Sequence, residues 1–309
     1  MMLPLIFITI WFEKLHNYNL WYLKMDVKRF NYEPNAQVEL NIKPILRNII
    51  IGLDEFIDFV REKYPVEFER YQSRLRLEYM ELVRREKSSS YDDHIDKLVA
   101  EYENMEPPLK ATDFGFLKLS ILAFLSLLKF EKYLSQFNDN HAKWDAADLI
   151  RAMNVFDYYQ VSSLLSIMSK EHAIKVVSEF IESRLEERRN PENYDQSLGT
   201  LIERITPGYE RWRSQDVAIK VDGDMRAIVR VSRCKWAEIM EDFDKDLAHA
   251  MICNSDFKNA TIFNEEFMLT RTQTLMQGAD YCDFCYHDKR YDNDLTHPSK
   301  QEYDDLIGY

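Results

Sequence analysis

The hydrophobic period of the chain changes near residue 215, and this change constrains the fold more than any other feature. Before it, apolar residues recur at spacings of three and four, as on one face of a helix. Ile45, Ile49, Leu53, Phe56, Val60 and Tyr64 form such a stripe behind Pro44, which suits a first helical turn because that turn needs no N–H there. Pro65 ends the stripe, and Phe68, Tyr71, Leu75, Tyr79 and Leu82 form a second. Further helices are expected over 91–103, about 113–137, 142–153, 156–168 and 170–189. No strand is expected before residue 215.

Beyond it, Val217, Ile219 and Val221 alternate with polar or small residues, and Met225, Ala227, Val229 and Val231 alternate again. A three-residue loop, Val221-Asp222-Gly223, pairs Ile219 with Met225 and gives Gly223 the left-handed position such loops want. Residues 235–252 return to helical character. Two more strands are expected at about 266–275 and 281–287, joined through Gln277-Gly278-Ala279-Asp280. That register places Arg271 and Cys282 on one core-side face. The expected fold is α+β: a large helical N-terminal part, then a C-terminal antiparallel sheet of about four strands with inserted helices. The expected divisions are an apolar extension at 1–24, a helical region at 25–140, an α+β domain at 141–290 and an acidic flexible tail at 291–309.

Composition removes several function classes. The chain has 309 residues but only 7 glycines, and neither G-x-G-x-x-G nor G-x-x-x-x-G-K-[ST] occurs. A dinucleotide-binding turn and a phosphate-cradling loop are therefore not expected. A net charge of −13 argues against a nucleic-acid partner. Arg184, Arg188 and Arg189 lie among Glu182, Glu186 and Glu187 and read as a solvated helix face. The apolar run at 1–12 is too short to span a bilayer and lacks a cleavage site. It reads as a helix packed on the core or as an upstream translation artefact ahead of a true start at Met25, rather than as an interfacial anchor. Residues 116–130, interrupted by Lys118 and Lys129, read as a buried core helix. No spanning segment is expected, and the default is a cytoplasmic protein with reduced thiols.

All four cysteines lie in the last quarter. Cys282-Asp283-Phe284-Cys285 is a C-x-x-C, but on a strand its sulfurs point to opposite faces, so a redox pair is not expected. Cys234 and Cys253 supply no second short pair, so no metal site is expected. Arg271 on an apolar strand face needs a carboxylate. Asp256 or Asp283 would make it a structural ion pair, whereas a substrate carboxylate would make it a two-point anchor. His249 lies in the helical stretch before Cys253, where a lone histidine is more often structural than catalytic. G-x-S-x-G is absent, which excludes a nucleophile elbow.

The stretch V-S-R-C-K-W-A-E-I, then A-M-I-C-N-S-D, then L-T-R-T-Q-T-L-M-Q-G-A-D-Y-C-D-F resembles the L-2-amino-thiazoline-4-carboxylic acid hydrolase family. The matching positions are Cys234, Trp236, Glu238, Cys253, Asp256, Arg271, Thr274, Gly278, Asp280, Cys282, Asp283 and Phe284. Cys285 stands where family members often carry a basic residue. The resemblance implies hydrolytic opening of a cyclic amidine-like C=N bond in a small sulfur-containing amino acid. Such chemistry needs an activated water, a proton for the ring nitrogen and a grip on the carboxylate. On this reading Arg271 anchors the carboxylate, with Trp236, Glu238 and Thr274 as further substrate-binding candidates. Asp256 or Asp283 is the base, Cys282 or Cys253 the acid or nucleophile, and His249 a weaker acid/base candidate. The implied partner is a small carboxylated substrate. No cofactor is expected, and a homo-oligomer is left open. A fainter resemblance, through Cys234, Cys253 and Gly278-x-x-x-Cys282-x-Phe284, is to the ligand-binding domain named for 4-vinyl reductases. A helical interaction protein is the remaining alternative.

Overall fold

The computed structural model describes residues 27–85, 92–103, 109–136 and 142–308. The expected extension at 1–24 lies outside them. They form two compact units, one of residues 37–180 and one of 27–36 with 181–308. The division falls at 180–181.

Three short strands interrupt the stretch expected to be wholly helical: β1 (Lys28–Phe30), β2 (Gln37–Leu40) and β3 (Ala142–Asp145). Three or four residues carry too little alternation to stand out beside helical stripes. In the helical unit β2 and β3 pair antiparallel, and the Trp144 indole donates to the Leu40 carbonyl at 3.1 Å. α1 (Ile42–Lys63) is capped by Asn41 and buries Ile45, Ile49, Leu53, Phe56 and Val60. α2 (Phe68–Arg85) buries Tyr71, Leu75, Tyr79 and Leu82. α3 (Asp92–Glu103) and α4 (Phe114–Leu127) follow, and α4 ends ten residues before the expected 137. Among the described residues no helix is long and apolar enough to cross a membrane. Asp145 then caps α5 (Ala146–Ser162), and α6 (Lys170–Glu187) leads into the second unit.

That unit begins with α7 (Leu198–Trp212), opened by a reciprocal Ser197/Thr200 capping box. β4 (Gln215–Asp222) and β5 (Arg226–Cys234) follow as an antiparallel hairpin. α8 (Lys235–Ile239), α9 (Lys245–Ile252) and α10 (Ser255–Phe263) are inserted before β6 (Phe267–Thr270) and β7 (Cys282–Asp288). The antiparallel sheet has five strands in the order β1-β4-β5-β7-β6. Four were expected; β1, distant in sequence, adds the fifth beside β4.

The β4–β5 loop is Gly223-Asp224-Met225, so Asp222 opposes Arg226 and Ile219 opposes Val229. It has the expected length but sits two residues later, and Gly223 takes φ +55°. The ladder runs on to Asp222 and Arg226, whose side chains also pair at 3.4 Å. Because the shift preserves parity, the same residues face the core. β6 is shorter than expected. The amides of Thr272 and Gln273 donate to the Asp283 carboxylate instead of to a ladder. Gly278, at φ +92°, closes a 3₁₀ turn at Leu275–Gln277 rather than a tight hairpin.

The expected acidic tail is a structured element. Ser299 and Glu302 cap α11 (Lys300–Asp305). Tyr303 and Leu306 are buried with Ala218, Ile228, Tyr281 and Cys285. Asp304 accepts from Arg230 at 2.6 Å and Glu302 from Arg226 at 2.8 Å. Two acids of that run, Glu302 and Asp304, are thus partners of arginines on β5. Every residue of β7 is consequently buried.

Candidate active site

β7 turns Cys282, Phe284 and Tyr286 to one face and Asp283, Cys285 and His287 to the other, as strand alternation requires. The first face meets helices. α9 brings His249 in its last turn, Cys253 follows as its C-cap, and α10 brings Asp256 in its first turn. Arg271, one residue beyond β6, reaches into this group. Its Nη1 donates to Asp256 Oδ2 at 2.9 Å and to the Cys253 carbonyl at 3.1 Å, and its Nη2 lies 3.3 Å from His249 Nε2. The two charged side chains are 3% and 0% exposed. The guanidinium lies over the rings of Phe257, at 4.8 Å, and Phe284, at 5.3 Å. A buried guanidinium is tolerable only with this degree of pairing.

The electrostatics sort these groups into fixed charges and neutral neighbours. An arginine only donates, so His249 Nε2 accepts and its ring proton sits on Nδ1. Burial, and then the Arg271 charge, push the His249 pKa down to about 4. Burial pushes the thiol pKa values the other way: Cys234 to about 11, Cys282 to about 12, and Cys253 well above the ordinary value. All four cysteines are free and buried. At neutral pH these are protonated thiols, suited to donating a hydrogen bond and poor as nucleophiles. Cys282 Sγ accepts from the Leu275 N–H at 3.2 Å, and Cys234 Sγ from the Gln215 amide at 3.6 Å. Tyr209 of α7 faces the same cluster. Burial raises its phenol pKa, and Asp256, Cys234 and Cys282 add to the effect.

The structure therefore brings together His249, Cys253, Asp256, Arg271 and Cys282, with Cys234 beside them. Arg271 and Cys282 share this face although β6 ends before Arg271. Asp283 points to the opposite face, toward Thr272, Gln273 and His297. Trp236 is buried, and its indole N–H has no hydrogen-bond partner among the described residues. Glu238 takes part in a partly exposed cluster with Tyr32, Arg233 and Lys235. Thr274 is buried and caps the 3₁₀ turn by accepting from the Gln277 N–H. Sequence reasoning missed Tyr209, Thr270, His287, Asp292 and His297. His287 alone had a local signal, the alternation of Asp283, Cys285 and His287 along one strand. Among the described residues no group of three or more His, Cys, Asp or Glu side chains is placed to hold a metal.

A groove of about 470 Å³ is lined by Arg29, Phe30, Tyr32, Tyr209, Glu210 and Arg213 among others. Tyr209 belongs to both the groove and the cluster.

Residues 149–286 match the model of the L-2-amino-thiazoline-4-carboxylic acid hydrolase family. The family resemblance is borne out. The match covers a little under half of the chain and includes every residue that carried the resemblance. No curated protein and no solved structure matches the chain. Within the matched residues the buried guanidinium, its carboxylate, the neutral imidazole and three thiols occupy a single place.

Proposed function

We propose that the hydrolase-family segment opens a C=N bond in a small cyclic amidine carboxylate, with L-2-amino-thiazoline-4-carboxylic acid as the first compound to test. One observation carries this reading: residues far apart in the sequence, from His249 to Cys282, converge on Arg271. Arg271 anchors the substrate carboxylate, which takes up the Nη2 side now facing His249. His249, unprotonated at neutral pH, or Asp256 accepts a proton from the attacking water. A thiol of Cys282 or Cys253 faces the ring nitrogen as a hydrogen-bond donor. Water adds to the amidine carbon, the C–N bond breaks, and the nitrogen leaves as an amine once protonated. Trp236 and Thr274 support the walls, while Glu238 lies outside the cluster. The groove beside Tyr209 is the route in, and displacement of Phe257, which is 41% exposed, is the second.

Incubation of the full chain with the thiazoline acid is expected to yield a carbamoyl-cysteine, detected by mass spectrometry. Arg271→Lys, which keeps the charge but loses the fork, is expected to raise KM with a smaller effect on kcat. No product at high protein concentration would remove this substrate. Tight binding without turnover would move the site to a binding role.

A further inference from the structure

The face of β7 turned away from Arg271 holds a hydrogen-bonded chain that the proposed reaction does not use. It runs Asp292–His287–Thr270–His297–Asp283. His287 Nδ1 lies 2.6 Å from Asp292 Oδ2, and its Nε2 lies 2.9 Å from Thr270 Oγ1. Thr270 Oγ1 lies 2.9 Å from His297 Nδ1, and His297 Nε2 lies 3.1 Å from Asp283 Oδ2. Asp283 ends the chain by gripping the loop behind Arg271. Its Oδ1 accepts the N–H groups of Thr272 and Gln273, each at 2.9 Å, and the Thr272 hydroxyl donates to Oδ2. Asp283 and His287 are buried.

The chain can be checked by counting protons. Each of its four links needs one hydrogen. The carboxylates bring none, Thr270 brings one, and two neutral imidazoles bring one each. Three hydrogens cannot make four links, so one link would set lone pair against lone pair. A fourth proton, giving the two imidazoles one positive charge between them, completes every link. That charge lies between two carboxylates. Burial opposes ionisation of both, but hydrogen bonds from His297 and Thr272 hold Asp283 below the usual range, and one from His287 does the same for Asp292.

We propose that this chain is a one-proton clamp: a shared imidazolium charge locks residues 292–303 onto the sheet and, through Asp283, fixes the loop that positions Arg271. The other groups facing it hold their charge near neutrality. Tyr303 stacks on His297 at 5.6 Å with its hydroxyl 3.5 Å from Nε2, and burial raises its phenol pKa. Burial likewise raises the Tyr281 phenol and pushes the Cys285 thiol up to about 12. Arg226 is paired with Asp222 and Glu302, and Arg230 with Asp304.

His297 and Asp283 are positioning residues, and their bearing on catalysis rests on the reading of Arg271 above. The test uses the ¹⁵N-labelled full chain at pH 7.5. Imidazole spectra, assigned with His287→Gln and His297→Gln, are expected to show three ring protons on His287 and His297 together. Two would overturn the clamp. Amide exchange at Thr272 and Gln273 is expected to speed at least tenfold in His297→Ala and to slow again in His297→Gln, which keeps an N–H for Asp283. Unchanged exchange in His297→Ala would overturn the link to the Arg271 loop. If His297→Ala does not fold, the proton count on the unaltered chain decides alone. Neither readout uses turnover, so failure of the clamp and failure of the hydrolase reading are separate outcomes.

Discussion

On one side of β7, Cys282, Phe284 and Tyr286 meet a guanidinium held by a single carboxylate. On the other, Asp283 and His287 join a chain of two carboxylates, two imidazoles and a hydroxyl. The strand is buried throughout, so both faces pay to desolvate polar groups. They offset that cost differently. The Arg271 face uses a permanent charge pair and neutral neighbours. The Asp283 face depends on where protons sit. The first should be sensitive to loss of a partner, the second to loss of its cover.

The largest expected effect is Asp256→Ala, which leaves the Arg271 guanidinium buried without its counter-charge. A loss of about 3–5 kcal/mol is expected in urea denaturation. The double variant Asp256→Leu with Arg271→Met, which removes both charges and keeps bulk, should recover most of that. A loss below about 1 kcal/mol in the single variant would mean that the guanidinium reaches water past Phe257. The contrast between a fixed pair and a proton-dependent chain would then fail.

Tyr303→Ala tests the cover on the other face. Tyr303 is fully buried beside Cys285 and stacks on His297. Removing it should cost about 3 kcal/mol, and Tyr303→Phe much less. Were residues 291–309 a free tail, neither variant would change the denaturation midpoint.

The two faces also differ in how much of them could be read from sequence. Alternation sends Cys282 and Cys285 to opposite sides, and the period change near residue 215 locates the sheet. Both depend only on neighbours in sequence. The convergence on Arg271 was legible through the family resemblance, which names positions that local pattern cannot connect. Asp283, one of the two carboxylates offered for Arg271, instead captures the amides of Thr272 and Gln273, and a side chain that replaces a ladder leaves no periodic trace. His297 and Asp292 lie in a stretch with no period. Their meaning comes from Thr270 and His287, and charge density alone made that stretch look solvated. β1 was missed for a related reason: three residues gain strand structure only from pairing with β4, nearly 190 positions later.

The smallest effect per pH unit separates the faces through His249. His249 is neutral in the fold, with its pKa pushed down to about 4 by burial and then by Arg271. In the unfolded chain an imidazole titrates near 6.5. Between those values the unfolded state binds the extra proton, so the contribution of His249 is complete above about pH 6.5 and is lost as pH falls toward 4. The slope for one proton is at most about 1.4 kcal/mol per pH unit. His249→Gln should flatten this acid limb in the difference between variant and unaltered stability, while His297→Gln should leave it in place. The depressed carboxyls of Asp283 and Asp292 also lose stability in acid, but only below the ordinary carboxylate value of about 3.9, outside this window. Other groups with raised carboxyl pKa, such as Asp195 at about 6, cancel in the difference. An acid limb that survives His249→Gln and disappears in His297→Gln would exchange the roles of the two faces, placing the neutral imidazole on the Asp283 side and removing His249 as the proton acceptor beside Arg271.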